Sequence, residues 1–127
     1  MGCMTRPPPD SALTRAAEAL ARRRLSPELL NHSYRTYAFG AALGELENLD
    51  VDRELLFAAA LLHDIGPTTA AREVAEQVGL STAATDTLLS AVTLQRSPGV
   101  TLAHGEVAYL LSAGAGLDVL LVAALRG

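Results

Sequence analysis

Tryptophan and lysine are both missing from this chain of 127 residues, and only 4% of the residues are aromatic. Half of the residues are nevertheless apolar, so the core has to be built from Ala, Leu and Val, a mixture that favours helices. A chain of this length suits one domain that buries about two-thirds of its unfolded surface. The net charge of -4 excludes a general electrostatic attraction for nucleic acid or anionic lipid.

Cysteine occurs once, at Cys3, which excludes an internal disulfide and fits a reducing cytoplasm. Residues 1–9 include three consecutive prolines, and we expect a frayed or disordered lead ahead of one helical domain over 10–127. No signal peptide is indicated, and the apolar runs 55–62 and 119–125 are much shorter than the roughly 20 residues that span a bilayer. We therefore expect a cytoplasmic protein with a small-molecule partner and with neither nucleic acid nor membrane as a partner.

Helix start and stop signals divide the chain after its proline-rich lead. Ser26 followed by Pro27 is a typical helix start, and residues 55–62 are apolar on nearly every side, which is typical of a central helix. Residues 114–116, Gly-Ala-Gly, indicate either a break or a tight approach, after a helix over 106–111 and before a closing apolar helix over 117–125. No segment alternates polar and apolar residues with a period of two, so the sequence predicts an all-α fold.

The predicted central helix ends in two polar residues, His63 and Asp64, and Gly66 then stops it. Imidazole nitrogens and carboxylate oxygens are common ligands of Zn, Fe, Mn and Ni, and adjacent residues at a helix end can turn toward one point. Taken alone, the pair is more simply explained as a buried core histidine with a hydrogen-bonding carboxylate beside it.

Other candidates also have an ordinary structural explanation when each is taken alone. His32 fits a surface-facing position in the helix that follows Ser26, and His104 lies in a loop-like stretch where we expect it to be exposed. Asp118 precedes an apolar run and fits a helix cap. The basic run of Arg22 to Arg24 fits a solvated helix end rather than a nucleic-acid contact.

Three motifs, in a fixed order along the chain, change this interpretation. They are Asn-His-Ser-Tyr-Arg-Thr-Tyr over 31–37, Leu-Leu-His-Asp-Ile-Gly over 61–66, and Gly-Ala-Gly-Leu-Asp-Val over 114–119. Together they resemble the HD-domain superfamily, and the likeness is greatest to its cyanamide hydratase-like branch. The resemblance extends over roughly residues 26–120 and implies a compact HD-domain bundle of about five to seven helices.

The resemblance also implies a site for one divalent transition metal, with Zn or Fe expected and Mn or Ni as alternatives. The implied ligands are His32, His63, Asp64 and Asp118. In such a site the metal lowers the pKa of a bound water, and Asp64 could guide the proton as that water adds to a substrate. Arg35 lies one turn from His32, where it could hold a polar substrate group or serve as a structural ion-pair partner.

Two departures from the family pattern keep the function open. Gln95 stands where relatives tend to place a histidine, and the segment that starts at Pro67 leads almost directly into the next helix, where relatives carry an insertion. The leading hypothesis is a hydrolase or hydratase that acts on a small polar substrate, as in cyanamide hydration. The alternatives are a phosphohydrolase of nucleotides or phosphate esters, which the absence of Lys disfavours, and a degenerate non-catalytic module with a binding or regulatory role. A homo-oligomer is left open.

Overall fold

The computed structural model describes residues 8–66, 68–95 and 99–126 of the chain. Six α-helices and one short 3-10 helix make up the described structure: α1 (Ala12–Arg24), α2 (Pro27–Leu46), α3 (Arg53–Leu62), α4 (Thr69–Val78), α5 (Thr82–Leu94), the 3-10 helix Leu102–His104, and α6 (Glu106–Arg126). No strand occurs in these described ranges, and the predicted all-α bundle is confirmed. Cys3 and most of the predicted lead, together with Pro67, fall outside the described residues.

Capping side chains set the start of the helices that carry the predicted site. The Ser26 hydroxyl accepts a hydrogen bond from the backbone N–H of Leu29 at the start of α2, and Pro27 occupies the first helical position. The Asp52 carboxylate accepts from two backbone N–H groups at the start of α3. Each cap satisfies donors that have no partner inside the helix, so both starts are encoded locally.

Helix α3 lies at the centre of the bundle, as its sequence predicts. Every residue from Leu55 to Leu62 is buried, and the helix contacts each of the other five α-helices. A helix that is apolar on every side is stable in water only when neighbours cover all of it. The C-terminal end of α3 therefore places His63 inside the bundle and Asp64 in a partly buried position beside it.

Helix α6 is continuous, so of the two alternatives predicted for residues 114–116 the break is wrong and the tight approach is confirmed. The glycine at position 114 serves a close approach between helices instead: a Cβ there would lie 3.0 Å from the backbone N and 3.3 Å from the Cα of Gly40 in α2. The Thr36 carbonyl oxygen would be closer still. Helices α2 and α6 consequently pack backbone to backbone, and they run in opposite directions.

The two halves of α6 have different surroundings. In the first half Val107, Leu110 and Leu111 are buried in the core, whereas from residue 115 to 126 Asp118 is the one buried residue. By length and composition alone, this helix of 21 residues is apolar enough to cross a membrane, which the two shorter predicted pieces were not. A helix in a protein core can pass the same test of length and composition, and the first half of α6 is buried as such a helix would be. The expected absence of a membrane partner stays a prediction.

Candidate metal centre

His63 ends α3 with its imidazole fixed by the backbone. The side chain is 2% exposed, and its Nδ1 lies 2.6 Å from the carbonyl oxygen of Ala60. Because a carbonyl oxygen only accepts, Nδ1 is the donor in this hydrogen bond. The Nε2 of the same ring lies 3.3 Å from Oδ2 of Asp64.

His32 in α2 is fixed in the same way, by a carboxylate instead of a carbonyl. Its Nδ1 lies 2.6 Å from Oδ2 of Asp118, and its Nε2 lies 3.6 Å from Oδ2 of Asp64. An ionised carboxylate only accepts, so here too Nδ1 is the donor, while Nε2 also lies 3.5 Å from the hydroxyl oxygen of Thr36. The side chain is 17% exposed and faces the interior of the bundle, which excludes the surface-facing interpretation.

The two imidazoles and Asp64 converge on one point. One ligand atom from each of His32, His63 and Asp64 lies within 4.8 Å of the other two, and the two rings are 5.4 Å apart. Ligands bound at about 2.0–2.2 Å from one ion are separated by distances of this order. Histidine ligands usually donate their second N–H to a carboxylate or carbonyl, as both do here. The donor set and its support therefore fit a single divalent metal.

Asp118 lies behind His32 in this arrangement. It is 1% exposed within α6, so the helix-cap interpretation is wrong. Burial acts to raise the pKa of Asp118, but hydrogen bonds from Arg35 and His32 outweigh it and hold this pKa below its usual 3.8. The ionised carboxylate orients His32 in the structure, and its predicted role as a metal ligand stays a prediction.

Arg35 is the ion-pair partner of Asp118. Its Nε donates to Oδ1 of Asp118, and one terminal nitrogen lies 3.3 Å from Oδ2. The hydrogen bond with the Asp118 carboxylate raises the pKa of Arg35 above its ordinary value. Of the two roles predicted for Arg35, the structure shows that of an ion-pair partner. A role in substrate binding would have to use the N–H groups that do not contact Asp118.

Comparison with known proteins agrees with this geometry. The family model of the HD domain matches residues 29–97, more than half of the chain. The chain belongs to the HD-domain family. Two cyanamide hydratases of Saccharomyces cerevisiae, DDI2 and DDI3, are each 36% identical to it over 64 residues. The match covers 49% of this chain and 28% of each relative, so the chain spans little more than a quarter of their length.

A groove opens beside the site formed by His32, His63 and Asp64, here called the HD site. The groove lies between the first half of α2 and the second half of α6. Its volume is about 670 Å³, and His32, Arg35 and Asp118 lie along its wall. The polar side chain of Asn31 also lines it, opposite apolar residues that include Leu121 and Val122. Neither His63 nor Asp64 lines the groove, so it lies on the α2–α6 side of the HD site, where Asp118 contacts His32.

Two candidates from the sequence lie away from this centre. His104 is exposed, as predicted, and its Nδ1 accepts a hydrogen bond from the backbone N–H of Thr101. Gln95 is the C-terminal cap of α5 and does not line the groove. The sequence motifs do not reveal the group that orients His63, the Ala60 carbonyl, although its place three residues earlier on the same helix is a usable signal.

Proposed function

We propose that this HD domain is a metal-dependent hydrolytic enzyme that adds water to a small polar substrate, in a reaction of the cyanamide hydration type. The observation that carries the proposal is the convergence of two imidazole Nε2 atoms and one carboxylate on a single point. The similarity to two cyanamide hydratases supports the choice of reaction.

His32, His63 and Asp64 would hold the metal, with Zn or Fe as the expected ion. When bound, a divalent ion supplies water of lowered pKa and polarises the electrophilic atom of the substrate. Asp64 is suited to accept the proton of the attacking water, because its side chain is 23% exposed and reaches both solvent and the site. The buried His63 is suited to a fixed, purely coordinating role.

Arg35 would orient the substrate in the groove. Its side chain is 43% exposed, and two of its three nitrogens contact Asp118. A guanidinium has five N–H donors in a rigid plane, so donors remain for a polar group of the substrate. The nearby amide of Asn31 adds both a donor and an acceptor to the same wall.

The charge at this wall favours a neutral substrate over a phosphate ester. The positive charge of Arg35 is paired with the buried carboxylate of Asp118, and the second cation that lines the groove, Arg126, is matched in charge by the carboxylate of Glu28 on the same groove. Phosphate binding calls for donors whose charge is not already compensated. Cyanamide is uncharged, so this wall suits it better than it suits a nucleotide.

The proposal is tested by metal content and product release in matched variants. After loading with Zn, Fe, Mn or Ni, the unaltered chain and His104→Ala should each retain about one ion, since the exposed His104 is outside the site, whereas His63→Ala should lose it. Urea release from cyanamide should follow the metal, and phosphate release from p-nitrophenyl phosphate should stay at background.

Different results would reject different parts of the proposal. A chain that retains no stoichiometric metal after any loading is not a metal-dependent enzyme. Full metal content without release of urea or phosphate would favour the non-catalytic module. Phosphate release that depends on His63 would replace hydration with phosphohydrolysis.

A further inference from the structure

The second half of α6 exposes an unusual amount of apolar surface. Five of its large apolar side chains are between 43% and 77% exposed: Leu117, Val119, Leu120, Leu121 and Leu125. In the first half of the same helix the leucines are fully buried in the core. The sequence therefore stays apolar beyond the point where the described bundle can cover it.

Four of the exposed residues form a continuous stripe, here called the α6 stripe: Leu117, Leu120, Leu121 and Ala124. Positions separated by three, four and seven residues lie on one face of a helix, so these side chains are neighbours. The only charged residue between Leu117 and Leu125 is Asp118, and its carboxylate points inward to His32. The α6 stripe is thus apolar and free of charge over more than two turns.

We propose that the α6 stripe packs against the α6 stripe of a second copy of this chain, antiparallel about a two-fold axis between Leu120 and Leu121. A two-fold interface uses the same patch on both partners, so a patch without charge meets no like charge across the axis. In this register Leu117 of each copy lies opposite Ala124 of the other. The spacing is that of helices that pair through a narrow apolar seam.

The size of the patch is suited to this use. Leu117, Leu120 and Leu121 of the stripe, with the neighbouring Leu125, expose on the order of 400 Å² of apolar surface. A partner in an interface of standard size contributes about 800 Å², much of it apolar. Leu121 and Leu125 also line the groove beside His32, so a second copy on the stripe would close one side of that groove.

A membrane surface fits the same helix less well. The first half of α6 is locked into the core through Leu110, Leu111 and Gly114, so the whole helix cannot enter a bilayer while the bundle stays folded. Helices that lie in the membrane interface carry several basic residues on their polar face. Arg126 is the only basic residue of α6, and the net charge of the chain is -4.

Sedimentation velocity over a wide range of protein concentration tests the proposal. The chain should sediment as a dimer of twice its 13.3 kDa mass, and Leu120→Glu should raise the dimer Kd by at least about tenfold. Leu46→Glu is the matched control, because Leu46 is 80% exposed at the far end of α2 and should leave the dimer unchanged. Circular dichroism checks that each variant keeps its helices.

A crosslink provides a second readout that does not depend on weakening the interface. In a Cys3→Ser background, Leu121→Cys should oxidise to a covalent dimer, whereas Leu46→Cys should not. A chain that stays monomeric at every concentration overturns the proposal, and so does equal dissociation by Leu46→Glu and Leu120→Glu. Flotation of a monomeric chain with phosphatidylcholine vesicles would assign the stripe to a membrane surface instead.

Discussion

The close approach of α2 and α6 can be tested by a single methyl group, in the variant Gly114→Ala. A Cβ at this position would lie 3.3 Å from the Cα and 3.0 Å from the backbone N of Gly40, with the Thr36 carbonyl closer still. Carbon atoms prefer separations of about 3.5–4.0 Å. All three opposing atoms belong to backbone, so relief requires the two helices to move apart.

The expected cost follows from these distances. Overpacking a tight contact costs about 1–3 kcal/mol and occasionally more. Replacing Gly by Ala inside a helix returns up to about 1 kcal/mol through helix propensity. Because backbone atoms give way less readily than the end of a flexible side chain, we expect a cost at the upper end of this range and a net loss of about 2 kcal/mol of unfolding free energy for Gly114→Ala.

The same shift should reach the metal centre. Asp118 lies one turn beyond Gly114 on α6, and its carboxylate is 2.6 Å from Nδ1 of His32. A separation of the helices by about 1 Å would take this contact out of hydrogen-bonding range. We therefore expect Gly114→Ala to weaken metal binding as well as folding.

Gly116→Ala is a control within the same motif. Gly116 is exposed on α6, and a Cβ there would meet nothing within 4 Å. Its substitution should stabilise the chain by about 0.5–1 kcal/mol through helix propensity alone. Urea denaturation followed by circular dichroism measures both variants in a chain that has no Trp, and competition with a chelating dye measures metal affinity. Equal stability and equal affinity of the two variants would refute the close-approach argument.

Three further predictions concern the metal centre and the start of α3. Asp118→Asn removes the ionised acceptor of the His32 Nδ1–H, so metal affinity should fall about 10- to 100-fold in a chelator competition; unchanged affinity would contradict an orienting role. Asp52→Ala removes the N-cap of α3 and should cost about 1 kcal/mol in urea denaturation, whereas the exposed Asp50→Ala should cost nearly nothing. Tyr37→Phe deletes a 2.8 Å hydrogen bond from a guanidinium of α3 and should cost about 0.5–1.5 kcal/mol in the same assay; no loss would show that water replaces the bond.

Much of the fold could be predicted because its signals are local. Ser26 and Pro27 start α2 by interactions within one turn, and the apolar run of residues 55–62 required a central position for α3. His63 and Asp64 were recognisable as candidates because they are polar residues at the end of that run. The family motifs then pointed to His32 and Asp118, which no local pattern connects with α3.

Residues 114–116 show where local signals leave two interpretations open. Glycine is a poor helix former, so Gly-Ala-Gly was compatible with a break as well as with a tight approach, and the packing of Gly114 against the backbone of α2 stabilises a continuous helix. Propensity differences are about 1 kcal/mol per residue, and the contacts along a whole helix face outweigh them. The sequence alone cannot show which opposing helix makes the glycine useful.

The sequence by itself determined the residue types, the helical periodicity and the order of the three motifs, because these depend on neighbours in the chain. Only the tertiary structure decided that Asp118 sits behind His32 and pairs with Arg35, contacts that join residues 86 and 83 positions apart. It also decided that the second half of α6 stays uncovered. Distances between helices depend on how whole faces pack, and no single segment contains that information.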